Sequence, residues 1–208
     1  MDRILMLAPT LIETPWTTCS THERFVLLDR DGVLNVAIAN GYVMDESMLE
    51  LLPGAAEGVA ALNRAGYGVI VISNQQCVGK GLLSLDGLRQ LTETMCARIR
   101  DVSGGSIDAV YYCPHLRDAG CACRKPLPGM ILAARERFGF DLANTYFVGD
   151  SYSDLKTAKA ARCPAIFALS GLEAERHRAG EPFPVEPAHI ATDLREAAAY
   201  ILGQHQRV

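Results

Sequence analysis

Phe25 to Asn35 reads FVLLDRDGVLN, and this stretch decides how the rest of the chain is understood. Four apolar residues, Phe25 to Leu28, suit a strand buried on both faces, and they run without a break into Asp29, Arg30, Asp31 and Gly32. In open α/β sheets ligands bind beyond the carboxyl ends of the strands, so two carboxylates there can meet a substrate and a cation. Continued extended geometry places Asp29 and Asp31 on one face and Arg30 on the other. Two like charges that close repel unless a metal or a shared proton relieves them. The alternative reading is an Asx-type turn in which Asp31-Gly32 only stops the strand.

Outward from this stretch, strands and helices alternate. Val36 to Leu52 has no helical stripe and reads as a surface loop or a flap over the strand end. Pro53-Gly54 opens a helix that Gly66 ends. Tyr67 to Ile72 is strand-like and terminates in Ser73-Asn74-Gln75, followed by Gly79-Lys80-Gly81 and a Ser84-capped helix carrying Leu85, Leu88, Leu91, Met95 and Ile99. Ala109 to Tyr112 gives a third strand. A helix opens at Pro128-Gly129 and closes at Gly139, and Tyr146 to Val148 forms a strand ending in Gly149-Asp150. Ser153 is expected to cap the next helix, with Asp154 in its first turn. Ala165 to Leu169 is a fifth strand, Gly171 to Pro187 a long polar loop, His189 to Ala191 a last short strand, and Asp193 caps a closing helix. The pattern predicts an α/β fold with a mostly parallel sheet and helices on both faces.

The 208 residues, 49% of them hydrophobic, suffice for one substantial core, so residues 25–208 are expected to form a single domain. Residues 1–24, rich in Thr and Pro, read as an extension on the surface or over a neighbour, in which Trp16 docks. A net charge of −4, a pI near 5.7 and no Lys/Arg run argue against a nucleic-acid partner and for a small substrate. No apolar run approaches the roughly 18 residues of a membrane span. The opening MDRILMLAPT is too short in apolar core for a signal peptide, which points to the cytoplasm. Seven cysteines, odd in number and unevenly spread, do not form a disulfide framework in a chain of this size.

The predicted topology gathers Asp29, Asp31, Ser73, Asn74, Lys125, Asp150 and Asp154 at one edge of the sheet. Carboxylates suit Mg²⁺, which binds through one or two of them plus a substrate phosphate, and a Lys beside the metal neutralises a phosphoryl group. Asp29-Arg30-Asp31-Gly32, Ser73-Asn74-Gln75, Lys125 before Pro126, and Gly149-Asp150 with Asp154 four residues on resemble the four motifs of the haloacid dehalogenase superfamily, in order. The resemblance spans most of Phe25 to Asp154 and implies a Rossmann-like fold and a phosphatase. It implies that Asp29 is the nucleophile and forms an aspartyl-phosphate, and that Asp31 is the general acid and base. By the same resemblance Ser73 and Lys125 would hold the phosphoryl oxygens, and Asp29, the Asp31 backbone carbonyl and Asp150 would hold Mg²⁺, with Asp154 behind them.

Cys113, His115, Cys121 and Cys123 form C-x-H-x5-C-x-C, the Cys₃His set of a structural Zn²⁺ site. With all four positions filled by protein, this zinc would pin the loop 113–123 beside Arg124-Lys125. Tyr111-Tyr112-Cys113-Pro114-His115, Cys123-Arg124-Lys125-Pro126 and Gly41-Tyr42-Val43 resemble the heptose 1,7-bisphosphate phosphatases and the related histidinol-phosphate phosphatases. That resemblance implies removal of the 7-phosphate from D-glycero-D-manno-heptose 1,7-bisphosphate by a monomer, with Asn74, Gln75 and Arg124 touching substrate. Lys80, between two glycines, could meet a distal phosphate. Three features depart from the family: the five-residue gap between His115 and Cys121, Cys77 in place of a glycine, and Ser151 where Lys is common. Histidinol phosphate or another small sugar or polyol phosphate is the alternative substrate. A zinc-stapled binding module without turnover is the alternative of another class.

Overall fold

Uninterrupted apolar runs become the inner strands of a parallel sheet because both faces are covered. The computed structural model describes residues 8–13 and 22–205. Seven strands are described: β1 Thr10–Glu13, β2 Arg24–Leu28, β3 Tyr67–Asn74, β4 Ala109–Cys113, β5 Phe147–Gly149, β6 Ala165–Ala168 and β7 His189–Ala191. The helices are α1 Ala55–Arg64, α2 Gln76–Gly79, α3 Leu85–Ser103, α4 Gly129–Phe138, α5 Tyr152–Ala161, α6 Ala174–Arg178 and α7 Leu194–His205. The sheet order is β1-β4-β3-β2-β5-β6-β7, and only the β1–β4 pair is antiparallel. This is the α/β architecture the alternating pattern predicts.

Period-two alternation divides the core between the two faces. Val26 and Leu28 turn to the side covered by Val59 and Leu62 of α1, Leu91 and Ile99 of α3, and Leu194 and Ile201 of α7. Phe25 and Leu27 turn to the other side, against Met130 and Ile131 of α4 and Leu155 of α5. Each such side chain stabilises the fold by roughly 1.5–3 kcal/mol relative to exposure. Strand order reverses at β2, with β3 and β4 on one flank and β5 to β7 on the other. The crevice at such a reversal is where doubly wound sheets bind ligands, and Asp29 begins there.

Three local expectations change. Residues 10–13 lie in the segment read as an extension, yet they form a strand, with Thr10 opposite Tyr112 and Glu13 opposite Ala109. Trp16 and Cys19 lie outside the described residues. The stretch after Gly171 is not all loop, because α6 forms within it and Phe183 packs edge-on against Phe167 and Tyr152. The cap of α5 is Ser151, not Ser153. Ser151 Oγ accepts from the Asp154 N–H and Asp154 Oδ2 accepts from the Ser151 N–H at 3.0 Å, a capping box that Ser153 sits too far along to make.

Candidate active site

Asp29 follows directly on β2 and is 7% exposed, its backbone N–H bonded to Val148 of β5. Its Oδ1 accepts from the Arg30 N–H at 2.7 Å, and its Oδ2 lies 2.7 Å from Lys125 Nζ. The same ammonium lies 2.6 Å from Asp154 Oδ1 and donates to the Ile72 carbonyl at 3.2 Å. Asn74 holds the Lys125 backbone from both sides: its Nδ2 donates to the Lys125 carbonyl, and its Oδ1 accepts from the Lys125 N–H. The end of β3 therefore positions the lysine that neutralises the end of β2. Burial disfavours the charged ammonium, but Asp154 and Asp29 outweigh it and hold Lys125 protonated.

Asp150 follows β5 and is buried with Asp29 and Asp154, the three offering oxygens within 4.8 Å of one another. Burial and the neighbouring acids push Asp150 well above the usual carboxylate range, and burial lifts Asp29 to about 6. Two of the three carboxylates pair with a single ammonium and the third does not, so a hard divalent cation with oxygen ligands fits this set. Two glycines make the slot for Asp150. A Cβ on Gly32, whose φ is +89°, would stand 2.4 Å from Asp150 Oδ2, and one on Gly171 would stand 1.9 Å away.

Asp31 departs from the expectation that Arg30 points away from it. The chain leaves the extended conformation after Asp29, with the Leu34 N–H turning back to the Arg30 carbonyl. Strand alternation therefore no longer applies. The Arg30 guanidinium is 2% exposed and folds onto Asp31 as a fork, with contacts of 2.9–3.2 Å from Nε and Nη2. A buried guanidinium requires a counter-charge, and Asp31 supplies it. Asn35 Nδ2 and Gln75 Nε2 donate to the remaining lone pairs of Asp31 at 2.9 and 2.8 Å. Burial raises the Asp31 carboxyl, but Arg30 and these donors prevail and hold it below its ordinary value. Gln75 also donates to Ser73 Oγ at 3.2 Å, so its buried amide links Ser73 to Asp31.

The zinc-loop residues converge as their spacing predicts. Cys113 Sγ lies 3.5 Å from His115 Nδ1 and 3.7 Å from Cys121 Sγ, and His115 Nδ1 lies 3.2 Å from Cys123 Sγ. Tetrahedral Zn²⁺ with bonds of about 2.0–2.3 Å sets ligand atoms about 3.3–3.8 Å apart, so the set fits zinc. Hydrogen bonding between Cys113 and Cys123 lowers the Cys113 thiol and raises that of Cys123, as for two thiols sharing one proton. Arg124 leads from this loop and donates to the His115 carbonyl at 3.3 Å.

A cavity of about 470 Å³ opens between this loop and the acid cluster, lined by Asn74, Arg117, Arg124, Lys125 and Ser153 among others. Lys80 is outside this lining and exposed, with its ammonium 5.2 Å from the centre of the Tyr42 ring. Sequence reasoning missed Arg30 and Gly171 at the acid cluster and Arg117 in the cavity lining. An Arg between two acids was a usable signal for the first; the other two had none.

The chain matches the family model described as "HAD-hyrolase-like" over residues 122–197. It is 37% identical over 180 residues to the D-glycero-beta-D-manno-heptose-1,7-bisphosphate 7-phosphatase of Pseudomonas aeruginosa, covering 85% of this chain and 97% of that protein. Its counterpart of the same name from Bordetella bronchiseptica is 38% identical over 181 residues, covering 87% and 99%. The crystal structure of the B. bronchiseptica D,D-heptose 1,7-bisphosphate phosphatase, complexed with magnesium and phosphate, matches with a TM-score of 0.81 at 34% identity, covering 87% of this chain and 99% of that one. A parallel sheet with acids and a lysine at its switch point is thus that of a hydrolase of the haloacid dehalogenase superfamily. More narrowly, the chain belongs to the family of these heptose-bisphosphate phosphatases.

Proposed function

We propose that this phosphatase removes the 7-phosphate of D-glycero-beta-D-manno-heptose 1,7-bisphosphate through an aspartyl-phosphate on Asp29. The observation that carries the reading is the Lys125 ammonium held between Asp29 and Asp154 at the switch point, and the relatives' named activity supplies the substrate. An Asp29 oxygen attacks phosphorus while the bond to the sugar oxygen breaks, and Asp31 protonates that leaving oxygen. Asp31 then takes a proton from the water that attacks the aspartyl-phosphate, releasing phosphate and restoring Asp29. The pairing with Arg30 favours carboxylate Asp31, the form the second step uses. For the first step Asp31 must carry a proton, which the negative charge of an incoming phosphate and of Asp29 promotes. Ser73 and Lys125 hold the phosphoryl oxygens, and Asn74, Gln75 and Arg124 line the substrate's path, with Lys80 outside the cavity lining.

Asp29, the Asp31 carbonyl and Asp150 would hold Mg²⁺, which when bound neutralises charge on the transferring phosphoryl group. Asp154 acts from behind, through Lys125 and Ser151. Cys113, His115, Cys121 and Cys123 would hold a structural Zn²⁺ that fixes the pocket wall. We further propose that residues 25–208, with β1 and Arg24 completing the sheet, form one catalytic domain acting as a cytoplasmic monomer without nucleic-acid or membrane partners. No helix of the described residues is long and apolar enough to cross a membrane.

The test is phosphate release with Mg²⁺ from both anomers of heptose 1,7-bisphosphate, histidinol phosphate and a set of sugar monophosphates, with Asp29→Asn as the blank. A preference for the beta heptose bisphosphate of about tenfold or more in kcat/KM, or about 1.4 kcal/mol, supports the proposal. Flat activity across the set would sink the substrate and leave the reaction class.

A further inference from the structure

We infer that Arg117, on the shortened zinc loop, is a specificity-determining residue that receives the distal phosphate of a bisphosphorylated sugar together with Arg124. The inference rests on the bisphosphate reading above and adds a residue to it.

The cavity beside Lys125 is lined by three cationic side chains, Arg117, Arg124 and Lys125, and by no carboxylate. Lys125 already has Asp29 and Asp154 as partners, whereas neither Arg117 nor Arg124 makes an ion pair among the described residues. Two guanidiniums on one cavity without a counter-charge favour an anion, and the planar fork of each suits phosphate oxygens in a bidentate way. The acid cluster, where the scissile phosphate reacts, lies at the Lys125 end. The guanidiniums line the side formed by the zinc loop, where the far end of a sugar would reach. At about 470 Å³ the cavity is in the range of small-molecule sites.

The loop fixes where the Arg117 backbone sits. His115 and Cys121 flank it with only five residues between them, and the Ala119 N–H turns back to the Leu116 carbonyl. Arg117 sits inside that turn. Arg124 donates to the carbonyl of the same His115, so its guanidinium is held against the loop that carries Arg117. The Arg117 side chain itself is exposed, so the loop sets its reach and not its rotamer.

The test compares kcat/KM for heptose 1,7-bisphosphate and heptose 7-phosphate in wild type, Arg117→Ala and Arg117→Lys, with zinc content measured in each. Fructose 1,6-bisphosphate and fructose 6-phosphate form a second pair. Arg117→Ala is expected to lower kcat/KM for the bisphosphate 10- to 100-fold, mainly through KM, and to leave the monophosphate within twofold. Arg117→Lys recovers part of the loss, and zinc stays at one per chain. Failure of the substrate reading registers separately, as no preference for the heptose pair over the fructose pair. The role of Arg117 is judged on the bisphosphate-to-monophosphate ratio of whichever pair is turned over best. It is overturned if wild type shows no such ratio, if Arg117→Ala leaves the ratio unchanged, or if both substrates fall in parallel.

Discussion

Replacing Gly171 by Ala places one methyl group against the carboxylate of Asp150. The added Cβ would stand 1.9 Å from Asp150 Oδ2 and 2.3 Å from its Cβ and Cγ, where contacts tighter than about 3.4 Å are already rare. Either the Asp150 side chain or the backbone at Gly171 must therefore retreat by about 1.5 Å. Retreat of the carboxylate displaces a proposed Mg²⁺ ligand, and Mg²⁺ tolerates little departure from octahedral geometry. A misplacement of about 1 Å at a reacting centre costs on the order of 10²-fold, so kcat/KM should fall about 100-fold and the Mg²⁺ concentration for half activity should rise. Overpacking should also destabilise the fold by about 1–3 kcal/mol, a drop of roughly 2–12 °C in Tm. Steady-state kinetics over a Mg²⁺ titration, with a thermal melt, read all three. The control is Gly203→Ala in α7, where an added Cβ meets nothing within 4 Å; it should leave kinetics unchanged and stabilise by roughly 0.5–1 kcal/mol. Gly171→Ala with wild-type kinetics and an unchanged Mg²⁺ midpoint would refute the reasoning.

Asp29→Asn should abolish turnover while keeping the wild-type circular dichroism spectrum; measurable multiple turnover would remove Asp29 as nucleophile. Lys125→Met should lower kcat by about 10³-fold or more, because it leaves Asp29 and Asp154 without their shared cation. Cys121→Ala, or prolonged chelation, should release one zinc per chain and raise KM more than it lowers kcat, since the metal shapes the pocket wall; elemental analysis beside kinetics checks this. Arg30 depresses the folded-state pKa of Asp31, so the stability it contributes is present above the ordinary carboxylate value of about 3.9 and is lost as pH falls through the lower folded value. The Tm gap between wild type and Arg30→Gln should therefore narrow below about pH 4; a gap independent of pH would assign the effect of Arg30 to packing alone.

The parallel sheet was legible because β2, β3 and β4 are continuous apolar runs ending in polar clusters, a pattern with few other physical readings. Asp29, Lys125, Asp150 and Asp154 were legible for a related reason: their types and order resemble one known set, and the fold brings them within contact of one another. Arg30 was misread because alternation was carried past the end of β2, where the chain turns. Its partnership with Asp31 depends on burial, which no local spacing reports. Strand β1 has four residues and no period long enough to recognise, and it exists because it pairs with β4. The cap of α5 goes to Ser151 and not Ser153 because the residue three before Asp154 can exchange hydrogen bonds with it. Gly171 carries no signal of its own, since its role is the space it leaves for a residue 21 positions away.

Strand β1 also bears on which backbone the sheet presents at its edge. Without it, β4 would end the sheet, presenting the unpaired backbone of Ala109, Val110, Tyr111 and Tyr112, an apolar edge of the kind that templates strand-to-strand association. With β1 in place the outermost strand among the described residues is short, preceded by Pro9, which has no N–H to donate, and closed by the charge of Glu13. An edge so blunted is a poor template for a neighbour. A trimmed chain beginning at Arg24 would keep every residue of the acid cluster and the zinc loop, yet expose that edge. Its expected failure is aggregation rather than lost chemistry.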